Sequence, residues 1–571
     1  MESNLNKDEA DLCELKSVDS YETPPSAQPI KFESEESQAI EGRESMRGKI
    51  QLWFIGQNIT PLLILVLSFF CGMFTQYQSV AACVFLLHST YLAYIYTAKS
   101  VWAQWLGTMV VGVGLSLSMS QLFRADDGGP TWSWFSFGIV AALQIGAAHI
   151  YLICARIHFR LVTRLPYWAP PMFCYPVLVA SAYSIMSLYS PIGSQCSMAY
   201  SMAEWQSFVQ VVSVFGITGL NFIILFVATC GTHALLIGSK RHRVYSFYSG
   251  FCVFLLTSLF GSFRILIPSM YQVSVEVSAT AANAWVEAAC IVQDGETDML
   301  NKTAIVLKER SVRFVVWSEA AGLMYYPENS DSSYEPQVSD FYKAISDLAV
   351  NNDALIGATY GIWQDPSNPN SSTQFNMLAM ADPVRGEILF KYAKRYPVPV
   401  MESEVVASSN PLAYARSSTL GPLNAAICFD LDHPEYIRSG SSTGILVQPA
   451  NTWGIVGKYH AISSSFRAIE NGMFLIRCGS NGPSGVWDPY GSILGYQTRK
   501  DASVVYFDVP VNPQKLWTFY SHVGFVIDYI LYAISIIYLI IFAITFSRWY
   551  RILLCLGKAH KNIPGQITNS S

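Results

Sequence analysis

Charge is what this sequence is short of. Only 13% of its 571 residues are Asp, Glu, Lys or Arg, about half the share of a soluble domain, and mean hydropathy is +0.29. Such a chain cannot cover itself entirely with water-facing side chains, which excludes a purely soluble globule. No excess of base is present either: the net charge is −5, so a nucleic-acid partner is not expected. The twelve cysteines include no CxxC pair, and no histidine has a companion at metal-ligand spacing, so no metal is expected. Gly479–Gly482 lacks a phosphate-loop pattern and reads as a turn, so no cofactor is expected. The N-terminus lacks the basic-then-apolar layout of a cleaved signal peptide. Met1 to about Met46 is acidic and rich in Ser, Glu and Pro, which predicts disorder. The first membrane span would then act as the targeting signal.

Apolar runs are what the sequence has. Runs long enough to cross a bilayer, roughly 20 residues, occupy about 53–74, 78–98, 101–123, 132–155, 169–189, 207–236 and 247–267, with an eighth at about 522–546. Cations alternate between the connecting segments. Arg43, Arg47 and Lys49 precede the first run, Lys99 follows the second, Arg156, Arg160 and Arg164 follow the fourth, and Lys240, Arg241 and Arg243 follow the sixth. Arg548, Arg551, Lys558 and Lys561 follow the eighth. The positive-inside rule places both termini in the cytosol and residues 270–517 in the lumen or outside the cell. Asn301-Lys-Thr and Asn370-Ser-Ser are sequons on that far side. Asn370, in a Pro/Asn/Ser-rich run, is the better acceptor, because Asn301 falls in a helical pattern.

Between residues 285 and 510 short β-rich runs (Ala289–Val292, Arg313–Trp317, Ala354–Thr359, Asn376–Met380, Leu423–Cys428, Gly444–Pro449, Phe474–Arg477, Val504–Val509) alternate with helical stretches at Thr297–Arg310, Asp340–Asn351 and Tyr459–Asn471. That alternation predicts an α/β domain, and a hairpin near 376–392 makes its sheet mixed. Three stretches within it carry chemistry: Val-Val-Trp-Ser-Glu ending at Glu319, Tyr-Ala-Lys ending at Lys394, and Ala-Ile-Cys-Phe-Asp around Cys428. A thiol needs a base to become a nucleophile, and a cation to hold the oxyanion formed when it attacks a carbonyl. A lone cysteine is most often a small core residue, as Cys71, Cys83, Cys154, Cys174, Cys230 and Cys252 are expected to be. His433 and His460 suggest a Cys–His dyad, but His433 follows Cys428 too closely, on a turn, and ranks below Glu319 as base.

The residues around these three resemble the carbon–nitrogen hydrolase (nitrilase) superfamily, and the whole chain resembles its membrane-integral branch, the apolipoprotein N-acyltransferase family. Trp317-Ser318-Glu319 is similar to that family's Trp-Pro-Glu. Lys394 with Val398-Pro399 and Glu402 resembles its lysine strand and second glutamate. Cys428 with Pro434, Glu435 and Arg438, then Asn451-Thr452-Trp453, Arg467-Ala-Ile-Glu470-Asn-Gly472, Arg477, Asn481-Gly482 and Asp488-Pro489-Tyr-Gly491, continue the series in order. Phe215-Gly216-Ile-Thr-Gly219-Leu-Asn221 resembles its sixth span. Ser318, Phe429 and Asp430 depart from the family's proline, tyrosine and glutamate, and the interval from Lys394 to Cys428 is short.

The resemblance implies a polytopic helical membrane protein of about eight spans with an inserted α/β nitrilase-like domain, an αββα sandwich. Its organisation would be an acidic cytosolic tail (1–50), seven spans (51–270), the catalytic domain (280–512), an eighth span (520–548) and a cytosolic tail (549–571). It implies Cys428 as nucleophile, Glu319 as general base and Lys394 as oxyanion stabiliser. Glu402 would orient Lys394 or Glu319, Phe429 and Asp430 would shape the site, and Trp453 would line the acyl pocket or the core. Arg438, Arg467 and Arg477 are expected to form structural ion pairs. The implied reaction moves an acyl chain from a phospholipid, through a cysteine thioester, to an amine of a protein or lipoprotein acceptor at the endoplasmic reticulum or cell membrane. A membrane-tethered amidase and a non-catalytic scaffold are the competing readings. A donor at the bilayer surface predicts apolar loops beside the site, with Leu323–Tyr326 and Leu412–Tyr414 as candidates.

Overall fold

The computed structural model describes residues 59–75, 80–120, 134–163, 171–195, 197–237, 239–275, 285–292, 299–325, 338–364, 373–399, 401–452, 454–480, 482–497 and 504–561. The N-terminal tail, the segment holding Arg124, the Asn370 sequon, Tyr326 and Trp453 lie outside the described residues.

The apolar runs fold as helices α1 (Ile59–Thr75), α2 (Ala81–Thr97), α3 (Val101–Ser120), α4 (Trp134–Val162), α5 (Cys174–Tyr189), α6 (Val212–Leu236) and α7 (Lys240–Val275). Among the described residues, five segments are long and apolar enough to cross a membrane: Val101–Met119, Val140–Val162, Val212–Leu236, Lys240–Ile267 and Phe519–Ser547. Helices α1, α2 and α5 are apolar but shorter, at 16 or 17 residues. Helix α4 runs past the predicted end of its span, so Arg156 and Arg160 lie on the helix. Arg156 does so by placing its Nε 2.9 Å from Gln104 Oε1 on α3. Serines and threonines close their hydroxyls onto their own helices, as Thr229 does to Leu225 O and Thr90 to Leu86 O. That satisfies the group where no water is available.

The α/β part has two sheets. The first runs β13-β1-β2-β4-β5-β6 with β3 on β4, and the second runs β12-β11-β10-β9-β8-β7. Their strands are β1 (Trp285–Ile291), β2 (Phe314–Trp317), β3 (Met324–Tyr325), β4 (Leu355–Trp363), β5 (Gln374–Ala381), β6 (Ile388–Ala393), β7 (Ala413–Ser417), β8 (Gly421–Ala425), β9 (Ile445–Asn451), β10 (Phe474–Ser480), β11 (Ser484–Trp487), β12 (Ile493–Gln497) and β13 (Val504–Pro510). The parallel pairs β1–β2, β2–β4, β8–β9 and β9–β10 sit centrally and antiparallel strands close the edges. The central strands are buried on both faces, which is why they read as continuous apolar runs rather than alternating ones. β5 and β6 pair as the predicted hairpin.

One core joins the two sheets, with Ala288, Val316, Leu378 and Met380 from the first meeting Leu423, Val447, Ile476 and Val486 from the second. A disulfide between Cys290 on β1 and Cys478 on β10 crosses it. Helices α8 (Met299–Glu309) and α9 (Val338–Asn352) cover the first sheet's other face. Helix α9 buries Val338, Phe341, Tyr342, Ile345 and Ala349, the spacing of one helical stripe. Helices α10 (Pro434–Gly440) and α11 (Gly454–Asn471) cover the second sheet. Helix α11 has two apolar faces: Ala461 and Ala468 face the sheet, while Val456, Tyr459, Phe466 and Ile469 pack into the core of the membrane helices. The last helix, α12 (Phe519–Lys561), follows β13.

Polar contacts fix this docking. Helix α6 breaks at Gly216, whose φ is 63°, and the freed Ile217 N–H donates to Glu470 Oε1 on α11 at 2.9 Å. A Cβ at Gly216 would sit 2.4 Å from the Tyr520 ring, so only glycine fits there. Gly193 (φ +55°) lets the chain after α5 approach the α/β domain, where Ser194 N–H and Oγ donate to Asp432 O at 2.7 and 2.8 Å.

Candidate active site

The predicted carboxylate, amine and thiol all sit at strand ends. Glu319 follows β2, Lys394 follows β6, and Cys428 lies three residues beyond the end of β8. A strand buried up to its last residue delivers the next side chain to the rim of the inter-sheet core. β8 ends sooner than its apolar run suggested, and a 3-10 turn begins at Cys428, whose backbone is left-handed with φ 45°. Ala320, next to Glu319, is also left-handed (φ 54°). Such backbone costs about 1–3 kcal/mol per residue and persists where the surroundings over-determine it. One of these strained residues is the candidate thiol itself and the other adjoins Glu319.

Glu319 is 3% exposed and Lys394 is fully buried. Lys394 Nζ donates to Glu319 Oε1 at 2.6 Å and to Glu402 Oε1 and Oε2 at 2.8 and 2.7 Å. Glu319 also accepts from Asn376 Nδ2 at 2.9 Å and from the Asn451 N–H at 2.7 Å. Burial works to lower the Lys394 pKa, but Glu319, Cys428 and Glu402 outweigh it and hold the ammonium charged. Burial pushes Glu402 up, against the pull of Lys394. Glu402 also accepts from the Val398 N–H at 2.6 Å, which fixes the loop carrying it.

Cys428 is 4% exposed. Burial drives its thiol well above the ordinary range, Glu319 adds to the rise, and Lys394 and Arg477 oppose it. Its Sγ lies 3.8 Å from Asn451 O and 3.9 Å from His460 Nδ1. The Cys428 carbonyl accepts from Gln448 Nε2 at 3.0 Å. Asp430 braces the turn. It accepts from Tyr392 OH at 2.6 Å, the Tyr396 N–H at 2.8 Å, the Ile427 N–H at 3.0 Å and the Arg395 N–H at 3.1 Å, so it ties the end of β6 to the cysteine turn. Burial lifts its pKa to about 6 against these bonds. Phe429 is buried edge-on to His433.

The histidines behave differently from one another. His433 stacks on Tyr396 at 3.6 Å, and burial lowers its pKa to about 4. His460 is the one beside the thiol. The sequence raised it together with His433 but held no sign of which one meets the thiol, because 32 residues separate His460 from Cys428 and a helix from one layer has to meet a turn from another. His460 Nε2 is 3.0 Å from Asp432 Oδ2, off the axis of a hydrogen bond. Arg438 and Arg467 pair with Glu435 and Glu470 as expected. Arg477 departs from that expectation: among the described residues it makes no ion pair, donating from Nε to Pro483 O at 3.2 Å and from Nη2 to His460 Nδ1 at 3.4 Å. Of the candidate apolar loops, Leu323 and Tyr414 are exposed while Leu412 is packed in the core. Among the described residues no cluster of His, Cys, Asp and Glu suits a metal.

Residues 276–517 match the carbon–nitrogen hydrolase family. Apolipoprotein N-acyltransferase 2 of Treponema denticola is 24% identical over 359 residues, covering 55% of this chain and 66% of that protein. The apolipoprotein N-acyltransferase of Rickettsia typhi is 22% identical over 345 residues, covering 56% and 66%. The chain thus spans just under two thirds of the length of both relatives. An amidase from Nesterenkonia sp. AN1 aligns with 41% of this chain and 93% of its own at 18% identity, with a TM-score of 0.34. Residues 276–517 thus form a carbon–nitrogen hydrolase domain, and the chain with its apolar helices is similar to proteins named apolipoprotein N-acyltransferase of the nitrilase superfamily.

Proposed function

We propose that the protein is a membrane N-acyltransferase that takes an acyl chain from a phospholipid and gives it to an amine of a protein or lipoprotein acceptor. The observation that carries this reading is the buried Glu319–Lys394–Glu402 cluster beside Cys428, on a domain whose helix α11 is packed into apolar helices. Glu319 takes the Cys428 proton as sulfur attacks the ester carbonyl carbon. The carbonyl electron pair moves onto oxygen, where the Lys394 ammonium stabilises it. Collapse breaks the carbon–oxygen bond, Glu319 returns the proton to the departing lysolipid oxygen, and a thioester remains. The acceptor amine then attacks that carbon. It loses a proton to Glu319, the carbon–sulfur bond breaks, and the proton passes back to sulfur. Glu402 holds Lys394, and Asp430 and Phe429 shape the cysteine turn.

We assign the two-sheet domain to an αββα sandwich on the lumenal or extracellular face, with about eight spans and both termini cytosolic. The Cys290–Cys478 disulfide supports that face, since disulfides persist in oxidising compartments. Exposed Leu323 and Tyr414 are suited to the membrane side of the site.

The test uses purified protein in mild detergent with an alkyne-labelled phospholipid. The expected product is a hydroxylamine-labile adduct on Cys428 that is lost in Cys428→Ser and Glu319→Ala. A folded wild-type protein that forms no adduct sinks the phospholipid reading and turns attention to small amides.

A further inference from the structure

Two buried cations act on the Cys428 sulfur, and only one of them is neutralised. Lys394 lies between Glu319 and Glu402, so its charge is shared with two carboxyl groups already present. On another side stands Arg477, fully buried, with no carboxylate within ion-pair distance among the described residues and with Nη1 lacking any hydrogen-bond partner. A buried charge without a partner is strongly unfavourable, so an unpaired guanidinium in a folded core points to an anion that appears there during function.

The geometry names the anion. His460 Nδ1 accepts from Arg477 Nη2 at 3.4 Å and lies 3.9 Å from Cys428 Sγ, so guanidinium and sulfur share one ring nitrogen. An Nδ1 that accepts must leave the ring proton on Nε2, which faces Asp432 Oδ2 at 3.0 Å. Asp432 is itself fixed, its Oδ1 accepting from Ser463 Oγ at 3.1 Å and its carbonyl from Ser194 of the membrane part at 2.7 Å.

We infer that Arg477 is the counter-ion of the Cys428 thiolate, and that His460 and Asp432 are positioning residues that hold it there. The inference rests on Cys428 being the nucleophile of the proposed reaction, but not on the identity of donor or acceptor. Glu319, Lys394, Arg477 and Glu402 act electrostatically on the sulfur, and His460 Nδ1 lies 3.9 Å from it. Asp432, Glu319, Cys428 and His460 face the guanidinium. Glu319 and Glu402 oppose a thiolate and Lys394 and Arg477 favour it, so removing Arg477 leaves the sulfur with two anions and one cation.

The test is alkylation of Cys428 by iodoacetamide in the full-length detergent-solubilised protein, followed across pH by mass spectrometry of the Cys428 peptide. Arg477→Met is expected to raise the alkylation midpoint by about one pH unit and slow labelling at neutral pH about tenfold. Arg477→Lys is expected to restore most of the wild-type profile, which a merely structural role would not require. His460→Asn and Asp432→Asn should shift it in the same direction by less. A folded Arg477→Met protein with the wild-type profile overturns the inference. If that variant does not fold, an unshifted profile in His460→Asn overturns it instead. The lipid-adduct assay is separate, so a shifted alkylation profile without a lipid adduct leaves this inference standing while the donor assignment fails.

Discussion

Lys394 and Arg477 are both buried cations acting on the same sulfur, yet they are built in opposite ways. Lys394 touches three carboxylate oxygens, from Glu319 and Glu402. Arg477 touches a carbonyl and an imidazole. The first arrangement is stable in the resting protein and holds its carboxylates in place. The second is complete only when an anion arrives. Burial thus has two consequences, depending on whether the counter-charge is permanent: it fixes geometry in one case and stores reactivity in the other.

Substitution separates the two. Lys394→Met strands Glu319 and Glu402 as facing buried carboxylates, and is expected to lower stability by about 3–5 kcal/mol. Arg477→Met removes an unpaired charge and should leave the melting temperature unchanged or higher, while the thiol becomes less reactive. Thermal unfolding of the two variants side by side reads the contrast, and equal losses would erase it. The next effect lies in the scaffold that holds both cations at one core. Cys290→Ser opens the bridge between β1 and β10, with an expected loss of about 2–5 kcal/mol. The same loss in Cys478→Ser and in the double variant, measured by denaturant unfolding, would assign the effect to the bond rather than to either side chain.

The smallest effect concerns Asp430, which braces the turn between the two cations. Its folded pKa is raised to about 6 by burial, against hydrogen bonds that pull it down. A carboxylate raised on folding binds its proton more tightly in the native state. Its contribution to stability is therefore present below the ordinary carboxylate pKa and is lost as pH rises through about 6. Between about pH 4 and 7 this amounts to something on the order of 1–3 kcal/mol. Asp430→Asn should flatten that part of the stability profile, and an unchanged slope would remove Asp430 as its source.

Much of this architecture was legible because burial writes itself into composition. Strands enclosed on both faces must be apolar throughout, so β1, β2, β4, β9 and β10 stood out, and the stripe of α9 showed at helical spacing. β12, at one edge, did not, being largely exposed, and neither did β11 beside it, which is only four residues long. The Cys290–Cys478 bridge was also hidden, because two cysteines inside separate apolar strands look like ordinary core residues until the sheets face each other.

The site divides along the same line. Sequence by itself determined which candidate groups the chain offers: Glu319, Lys394 and Cys428 each end or follow a buried run, and a charge or thiol in such a place is held near the core by its own strand. It also determined which segments are too apolar for water. Only the tertiary structure decided who partners whom. Glu402 comes to Lys394 from a loop, His460 comes to Cys428 from a helix, and Arg477, among the described residues, stands without the kind of ion pair that Arg438 and Arg467 make. Those contacts join different layers, and their energies depend on distances of a few ångströms in a low-dielectric interior. Spacing along the chain holds no record of them.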